Sequence, residues 1–411
     1  MRSGLKLTIV SACIAVAACT PRIVIEEVEF ATSASAGEPN LTVLSDGSII
    51  MTWFEGDRDV GYALRFARRY ENGWSQPRTI TEQRLYFVNW ADFPSLTELS
   101  DGTWAVHWPE KTANSTYAYH VLVSLSRDEG GTWSEPIVPH RDNSPTEHGF
   151  VAFARSGTST GLVWLDGRNT DTGDPENPGP MTIQYTTLDP SGTFGPEELV
   201  DGRVCDCCQN ALAAVTDGFV VAYRDRSEEE IRDVVVRRRD QNGWGDPLNV
   251  GNENWYYPAC PVNGPALSSM GDTVVIAWFS APEQKPHVMV AFSTDGGRSF
   301  SEPLRVDDGY PLGRVDVELL PGGSAVVTWM EQPLPTRDPP AVEAWVMARL
   351  VRAGIEPSDS WVITETSRAR AAGFPRVAQV NGLLLFAWTD VSGDQPVVRV
   401  ARGRLRRGPF S

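Results

Sequence analysis

Several carboxylic acids lie in loop-like segments of this sequence, where they could carry acid–base chemistry. Hydrolysis of a glycosidic bond needs an acid and a nucleophile or base that flank the bond. The acidic candidates are Asp92 or Asp166 and Glu147 or Glu230. No spacing selects a pair among them, and an aspartate in a loop can equally serve as a hydrogen-bond acceptor for its own turn.

Histidines are concentrated in one part of the chain. Four of the five, His107, His120, His140 and His148, fall within two neighbouring repeat units, and His120, His140 and His148 are expected to reach the same face near Tyr185. A neutral histidine and a tyrosine can remove a proton beside a uronate carboxylate and protonate the leaving oxygen. His140 and His148 are therefore candidates for elimination chemistry, with hydrogen bonding in loops as the alternative.

Arginines form a third group of candidates, because guanidinium forks bind carboxylates, sulfates or phosphates through paired hydrogen bonds. Several of these arginines have acidic neighbours in the chain, so internal ion pairs are the alternative. The candidate substrate-binding arginines are Arg168, Arg224, Arg226, Arg232, Arg314 and Arg376.

Cysteines are few and clustered. Cys205, Cys207 and Cys208 form a CDCC run, and Cys260 lies further along the chain. An even number in an oxidising compartment favours two disulfides, for example a vicinal Cys207–Cys208 bond with Cys205 joined to Cys260. The alternative is a thiolate site for zinc or copper, since the same residues supply enough ligands. No cofactor is predicted.

The size and charge of the chain limit which classes of protein it can belong to. It has 411 residues, 41% of them hydrophobic, and a formal net charge of −17. A concentrated basic surface is needed to bind nucleic acid, so we expect no nucleic-acid partner. The composition is that of an ordered protein large enough for one domain.

The elements that must position these residues come from a hairpin that recurs about every 56 residues. Each copy has a glycine turn followed by an alternating apolar strand that ends at an aromatic residue. Seven copies end at Trp53, Trp108, Trp164, Tyr223, Trp278, Trp329 and Trp388. This repeat predicts an all-β propeller with four-stranded antiparallel blades, seven blades being favoured and six the alternative. The N-terminal segment 22–30 is expected to complete the last blade.

Strand direction divides the loops between two faces of such a propeller. The glycine turns lie on one face, and the blade-to-blade connections and the loops between second and third strands lie on the other. The loops that carry the candidate residues all belong to the second group, and ligands of propellers bind where such loops converge.

Two segments have the pattern S-x-D-x-G-x-[ST]-[WF]: SRDEGGTW at 126–133 and STDGGRSF at 293–300. In such a turn the aspartate and serine bind turn amides, and glycine permits a positive φ. The pattern resembles the Asp-box of sialidase-like β-propellers. That resemblance implies a structural turn on the face opposite the active site, so no catalysis is expected from Asp128 or Asp295.

The same resemblance implies a reaction type. Sialidases use a tyrosine nucleophile activated by a glutamate, with a separate aspartate as acid/base and arginines for the substrate carboxylate. The tyrosine would be Tyr223, Tyr256 or Tyr257, of which we select Tyr256. We therefore expect a sialidase-like exo-glycoside hydrolase acting on an acidic carbohydrate. A polysaccharide lyase acting on uronates and a non-catalytic carbohydrate- or protein-binding propeller are the alternatives.

The N-terminus has the features of an export signal. Arg2 and Lys6 precede an apolar run of about 12 residues, which is too short to span a bilayer. Val16-Ala17-Ala18-Cys19 resembles a bacterial lipobox and implies cleavage before Cys19 and lipidation of its thiol. We therefore expect a signal peptide over 1–18, one propeller domain over 19–411, and a protein that is exported and held at a bacterial membrane by its lipid.

Overall fold

A computed structural model describes residues 23–30, 32, 35–174, 178–335 and 342–405. The predicted signal peptide, Cys13 and the predicted lipidation site Cys19 lie outside these residues. Within them there is no helix with the length and apolar character needed to cross a bilayer. Helical structure in the same residues is limited to two short 3-10 turns, Pro282–Gln284 and Arg370–Ala372.

Seven antiparallel sheets follow one another along the described chain. Strand β1 (Ile23–Val28) is separated from the others and belongs to the last sheet. The first sheet contains β2 (Ala36–Val43), β3 (Ile49–Asp57), β4 (Gly61–Tyr70), β5 (Gly73–Trp74) and β6 (Arg78–Glu82). The second contains β7 (Leu96–Glu98), β8 (Trp104–Lys111) and β9 (Tyr119–Ser126). The third contains β10 (His148–Ser156), β11 (Ser159–Asp166), β12 (Met181–Leu188) and β13 (Glu198–Val204).

The remaining sheets repeat this order. The fourth contains β14 (Ala211–Val215), β15 (Gly218–Arg224), β16 (Val234–Asp240), β17 (Gly243–Trp244) and β18 (Leu248–Asn249). The fifth contains β19 (Ala266–Met270), β20 (Thr273–Ser280), β21 (His287–Ser293) and β22 (Leu304–Arg305). The sixth contains β23 (Pro311–Leu319), β24 (Ser324–Glu331), β25 (Ala344–Arg352) and β26 (Ser360–Thr366). The seventh contains β27 (Arg376–Val380), β28 (Leu383–Asp390) and β29 (Val397–Leu405).

The seven sheets close into a ring, which confirms the seven-bladed propeller. The first strand of every sheet contributes to the wall of a central cavity of about 270 Å³. At the rim, β1 pairs antiparallel with β29, and Ile25 lies opposite Gly403. The seventh blade is therefore built from both ends of the described chain, as the segment 22–30 was expected to do.

The recurring aromatic residue explains how the blades pack. Trp53, Trp164, Trp278 and Trp329 are all fully buried, between the sheets of adjacent blades. In four blades the indole also donates a hydrogen bond to an acid two residues later, because both side chains lie on the same side of the strand. These bonds are Trp53 to Glu55 at 3.4 Å, Trp108 to Glu110 at 3.1 Å, Trp164 to Asp166 at 2.9 Å and Trp329 to Glu331 at 2.6 Å.

The two Asp-box segments form the expected turns. Asp295 Oδ1 accepts hydrogen bonds from Ser293 Oγ at 2.7 Å and from the Ser299 amide at 3.0 Å. Gly297 has a φ of +80°, and a side chain there would collide with Val220 of the preceding blade. The turn therefore fixes its own hairpin and also fits closely against the neighbouring blade.

Candidate active site

The connections between blades meet at one face of the ring, around the mouth of the central cavity. The Gln209 side chain donates a hydrogen bond to Ala91 O at 2.7 Å and accepts one from the Gly264 amide at 3.0 Å. Asn210 donates to Phe150 O at 3.1 Å. These bonds join the segments that lead into four successive blades, so the segments that carry the candidate residues lie side by side.

A buried tyrosine and a glutamate are in direct contact at this face. Tyr119 begins β9 and Glu147 immediately precedes β10, and the two backbones form a short parallel bridge. Tyr119 Oη donates a hydrogen bond to Glu147 Oε1 at 2.5 Å. Burial raises the pKa of Glu147 to about 8, with added repulsion from the charges of Asp92, Asp206 and Cys205, although the bond from Tyr119 acts in the opposite direction.

Asp92 lies on the other side of the same tyrosine. Its side chain is 2% exposed, and burial raises its pKa to about 7. Among the described residues, Asp92 Oδ2 has no hydrogen-bond partner. A Cβ atom on Gly149 would lie 2.4 Å from Asp92 Oδ2 and 2.8 Å from the Tyr119 ring, so the glycine allows both groups to reach this position.

Asp92, Tyr119 and Glu147, which we call the acid–tyrosine trio, can together move protons near neutral pH. A carboxyl group whose pKa lies near 7 or 8 is present in both protonation states at physiological pH, which suits a general acid or base. Phe87 stacks on Tyr119 at a centroid distance of 4.0 Å and holds the ring in place.

The three predicted histidines also come together. The rings of His140 and His148 stack at 4.1 Å, and His120 lies 4.6 Å from His140 and 5.0 Å from His148. His140 donates through Nδ1 to Asp142 O at 2.7 Å, which leaves its buried Nε2 without a partner among the described residues. Burial and the charge of His148 lower the pKa of His140 to about 3, so this ring is neutral.

His148 differs from its neighbours because both of its nitrogens face oxygen acceptors. Nδ1 lies 3.1 Å from Thr146 O, and Nε2 lies 3.0 Å from Asp142 Oδ2 and 3.6 Å from Asp166 Oδ1. Both nitrogens are therefore within reach of oxygen acceptors. The three histidines also lie within metal-binding distance of one another.

Asp166 and Arg168 are paired with each other beside this cluster. Arg168 donates to Asp166 at 2.7 and 2.6 Å and to Glu197 at 3.1 Å. Burial would raise the pKa of Asp166, but the bonds from Arg168 and the charge of His148 lower it. Asp166 is therefore an ionised structural partner, and its geometry gives no support to the catalytic role predicted for it.

The six predicted arginines do not converge on one point. Arg224 is 1% exposed and makes four hydrogen bonds to the carbonyls of Asn263, Arg232 and Phe279. Arg314 is 6% exposed and donates to the carbonyls of Ala369, Gly373 and Arg368. Such bonds hold the loops together, so these contacts do not support a substrate-binding role for Arg224 or Arg314.

The other arginines have acidic partners. Arg226 binds Asp206 and Glu230 through both edges of its guanidinium. Arg232 also binds Glu230, at 2.7 Å, but its Nε and Nη1 lack hydrogen-bond partners among the described residues. Arg376 lies 3.4 Å from Asp316 and 4.7 Å from the Phe93 ring centroid, and it lines the central cavity.

The tyrosines chosen from the sequence lie elsewhere. Tyr256 is 63% exposed and its backbone forms a bridge with Ile231, and Tyr223 donates to Asp201 at 2.7 Å. Tyr185, expected near the histidines, packs against Phe219 and Trp244 instead. The tyrosine that reaches the carboxylates is Tyr119, which the sequence analysis did not single out. Tyr119 begins the third strand of the second blade and directly precedes His120, and this position is the sequence feature that could have identified it.

The four cysteines in the described part of the chain, Cys205, Cys207, Cys208 and Cys260, are unpaired. Cys205 Sγ lies 2.6 Å from Cys208 Sγ and 3.9 Å from Cys207 Sγ. The structure therefore does not support the expected vicinal Cys207–Cys208 disulfide or a bond from Cys205 to Cys260, because Cys205 faces its neighbours in the same turn.

Fold and site together define the protein as a seven-bladed β-propeller with a polar, partly buried cluster at the mouth of its ring. No model of a known protein family matches the chain, and no curated protein matches it by sequence. Among solved structures, polysaccharide lyase Uly1 is similar at a TM-score of 0.54 and 10% identity, with 90% of each chain covered.

Two further structures are similar at a TM-score of 0.50. One is a protein of unknown function from Dyadobacter fermentans, at 14% identity, with 94% of this chain and 100% of that chain covered. The other is the endosialidase of phage phi92, at 11% identity, with 95% of this chain and 70% of that chain covered. At these identities the likeness establishes the propeller fold, and two of the three structures are named as enzymes that act on glycans.

Proposed function

We propose that this protein is a glycan-active enzyme, a sialidase-like exo-glycoside hydrolase whose chemistry is carried by the acid–tyrosine trio. The observation that carries the proposal is the 2.5 Å hydrogen bond from Tyr119 to Glu147, with Asp92 against the same tyrosine. A tyrosine activated by a glutamate beside a separate aspartate is the set of groups that the Asp-box resemblance implied, and Asp92 and Glu147 were already candidates.

In the proposed reaction, Glu147 in its ionised form accepts the phenolic proton while the Tyr119 oxygen attacks the anomeric carbon. Because the pKa of Glu147 is about 8 and that of Asp92 about 7, a minority of molecules near neutral pH has Glu147 ionised and Asp92 protonated. Asp92, protonated below a pKa of about 7, donates its proton to the leaving oxygen as the glycosidic bond breaks. Asp92 then removes a proton from the water that cleaves the glycosyl–tyrosine bond, and the phenol recovers its proton from Glu147. The product sugar has gained one water.

Access to the trio sets a condition on this reaction. Tyr119 is fully buried and Asp92 nearly so, whereas Glu147 is partly exposed. The phenol can meet a sugar only after the loop that precedes β10 moves outward. We propose that sugar binding at the mouth of the ring displaces this loop.

We also propose that the sugar is acidic, with Arg376 as the residue that binds its carboxylate. The Arg376 guanidinium lies over Phe93, the residue after Asp92, and lines the central cavity. Its Nε is 3.4 Å from Asp316 in an ion pair that lacks hydrogen-bond geometry. A guanidinium at the cavity wall suits a carboxylate.

A second candidate function is elimination by a polysaccharide lyase. It is favoured by the neutral His140 ring, whose buried Nε2 is unpartnered among the described residues and could accept a proton. Tyr185 lies away from this ring, so Tyr119, whose backbone oxygen lies 3.2 Å from His148 Nδ1, would take the acid role. A lyase also needs an arginine for the substrate carboxylate, and Arg168, the candidate arginine beside these histidines, is already paired with Asp166 and Glu197.

Product analysis by mass spectrometry tests these proposals. The purified full chain is incubated with sialosides, uronate-containing oligosaccharides and neutral glycosides. Products that carry one added water, lost in Tyr119→Phe, Glu147→Gln and Asp92→Asn but retained in the exposed control Tyr256→Phe, support the hydrolase. Unsaturated fragments that depend on His140 would replace it with the lyase. A folded protein with no turnover across the panel would replace both with a binding propeller.

We propose, finally, that the protein is exported and anchored to a bacterial membrane by a lipid on Cys19. The proposal rests on the Val16-Ala17-Ala18-Cys19 pattern and the apolar run before it. An extracytoplasmic position would bring the enzyme to glycans outside the cytoplasm.

A further inference from the structure

Three cysteine side chains converge on one point between the third and fourth blades. The sulfurs of Cys205, Cys207 and Cys208 all lie within 4.8 Å of one another. Cys205 and Cys208 are each 1% exposed, and Cys260, from the next blade connection, interacts with the Cys207 thiol. A single short turn thus directs three thiols inward, beside the acid–tyrosine trio but separate from it.

We infer that this cysteine cluster is a binding site for a soft, thiophilic metal ion, held by the thiolates of Cys205, Cys207 and Cys208. Thiolate ligands select Cu(I) and Zn(II) over the hard cations. The three sulfurs of Cys205, Cys207 and Cys208 alone match three-coordinate Cu(I), whereas Zn(II) would also take Cys260, which interacts with Cys207, to complete a tetrahedron.

The distances between the sulfurs fit this inference with one local adjustment. Metal–sulfur bonds of about 2.3 Å place the sulfurs of a tetrahedral site about 3.8 Å apart. The Cys205–Cys207 separation of 3.9 Å already has this value. The Cys205–Cys208 separation of 2.6 Å is shorter, so the entering ion would move the Cys208 sulfur outward by about 1.2 Å.

The charges around the cluster favour thiolates over a neutral disulfide. Arg232 is 2% exposed and faces Cys205, and its Nε and Nη1 lack hydrogen-bond partners among the described residues. The positive charge of Arg224, which is also buried, favours the ionised form of Cys208. Three thiolates and one monovalent cation carry a net charge of about −2, and the buried guanidinium groups of Arg224 and Arg232 lower the cost of burying it, although Glu230 also binds Arg232. A disulfide would leave the unused donors of Arg232 without an anion.

The turn that carries the cysteines is held at both ends. The Cys205 amide donates to Arg224 O at 2.9 Å, and Gln209, directly after Cys208, binds two neighbouring loops. The cysteines are therefore already held near one another without the ion. This lowers the conformational entropy that is lost when the ion binds.

Metal titration of the full chain tests the inference. The protein is reduced, freed of reductant without oxygen, and titrated separately with Cu(I) and Zn(II), while bound metal is measured by elemental mass spectrometry and unfolding by calorimetry. We expect about one ion per chain and a higher melting temperature with the ion bound. Cys205→Ser, Cys207→Ser and Cys208→Ser should each lower the affinity at least tenfold, and Cys19→Ser, outside the cluster, should not.

Two further variants keep the test decisive if a ligand variant fails to fold. Arg232→Gln retains every thiol and should weaken binding of either ion. Cys260→Ser should weaken Zn(II) and leave Cu(I) binding unchanged. Reduced, folded protein that binds neither ion would overturn the inference. So would a Cys205–Cys208 disulfide found by differential alkylation and peptide mapping in the chain isolated from cells.

Discussion

Gly149 and Asp92 are in such close contact that no side chain fits between them: a methyl group on Gly149 would lie 2.4 Å from Asp92 Oδ2. The same methyl group would press on Tyr119. The backbone of Gly149 therefore forms one wall of the acid–tyrosine trio, and its lack of a side chain sets the distance between the aspartate and the tyrosine.

Gly149→Ala should damage the trio without removing any of its functional groups. The added methyl group must displace Asp92 or Tyr119, so we expect at least a tenfold loss of kcat/KM and a destabilisation of about 1–3 kcal/mol. Gly202→Ala is the matched control, because a Cβ atom there meets nothing within 4 Å. Kinetics and denaturant unfolding of both variants provide the comparison, and unchanged activity in Gly149→Ala would show that the trio is not the reacting centre.

Stability should decrease with rising pH because of buried carboxyl groups. Burial raises the pKa of both Glu147 and Glu318 to about 8. The folded state then binds more protons than the unfolded state, so this contribution is fully present below about pH 4.5 and is lost as the pH rises through 8. At about 1.4 kcal/mol per pKa unit, each group changes stability by a few kcal/mol over that range.

Two glutamine variants measure how much of this pH dependence comes from Glu147 and how much from Glu318. Glu147→Gln and Glu318→Gln should each flatten the dependence of unfolding free energy on pH between 5 and 8, relative to the unmodified protein. Only Glu147→Gln should also abolish turnover, since Glu318 lies on an inner strand and bonds with Ser268. A pH dependence equal to that of the unmodified protein in both variants would contradict the assigned pKa shifts.

Asp295→Ala should destabilise the fifth blade and leave catalysis intact. Burial opposes ionisation of Asp295, but the hydrogen bonds from Ser299, Ser293 and the Arg298 amide together outweigh it and lower its pKa to about 2. These bonds stabilise the folded protein at any pH above the pKa that Asp295 has in the unfolded chain. The stabilisation is lost as the pH falls through about 2, where Asp295 becomes protonated in the folded protein. We expect a loss of about 1–2 kcal/mol at neutral pH with kcat unchanged, and Asp394→Ala, at an exposed loop position, serves as control.

Closure of the ring depends on β1, so Ile25→Pro should open the seventh blade. Proline at this position removes an amide donor and restricts the backbone, which should weaken the pairing of β1 with β29 by about 1 kcal/mol. Glu26→Ala removes only exposed ion pairs with Arg402 and should cost about 0.5 kcal/mol. Hydrogen exchange of the β29 amides reports the opening, and protection equal to that of the unmodified protein in Ile25→Pro would show that the ring closes without β1.

Cys19→Ser should release the protein from the membrane. The serine hydroxyl cannot carry the thioether lipid, so the chain should lose labelling by radioactive palmitate and leave the membrane fraction. Cys13→Ser, within the proposed signal, should remain labelled. Labelling that persists in Cys19→Ser would place the lipid elsewhere.

The fold could be predicted from sequence because each blade repeats the same local signal. A glycine turn, an alternating strand and a terminal aromatic occur in every copy, and the seventh blade lacked a fourth strand that 22–30 could supply. Asp92 and Glu147 were recognised as acids in the right loops. Their common partner Tyr119 was not, because contact between them depends on how two blades pack, with Gly149 as the spacer.

The arginines show why composition alone was insufficient. Six guanidinium groups on one face suggested an anion site, yet Arg224 and Arg314 donate to backbone carbonyls of irregular loops. Loops without regular secondary structure leave many carbonyls in need of donors, and buried arginines can satisfy several at once. The sequence does not indicate which backbone carbonyls will lack a hydrogen-bond donor in the folded loops.

The outer position of β1 constrains how the protein would meet its surroundings. Cys19 precedes Ile23 by four residues, which span at most about 15 Å when fully extended. A lipid at Cys19 would therefore hold the rim of the ring close to the bilayer, within reach of glycans at the membrane surface.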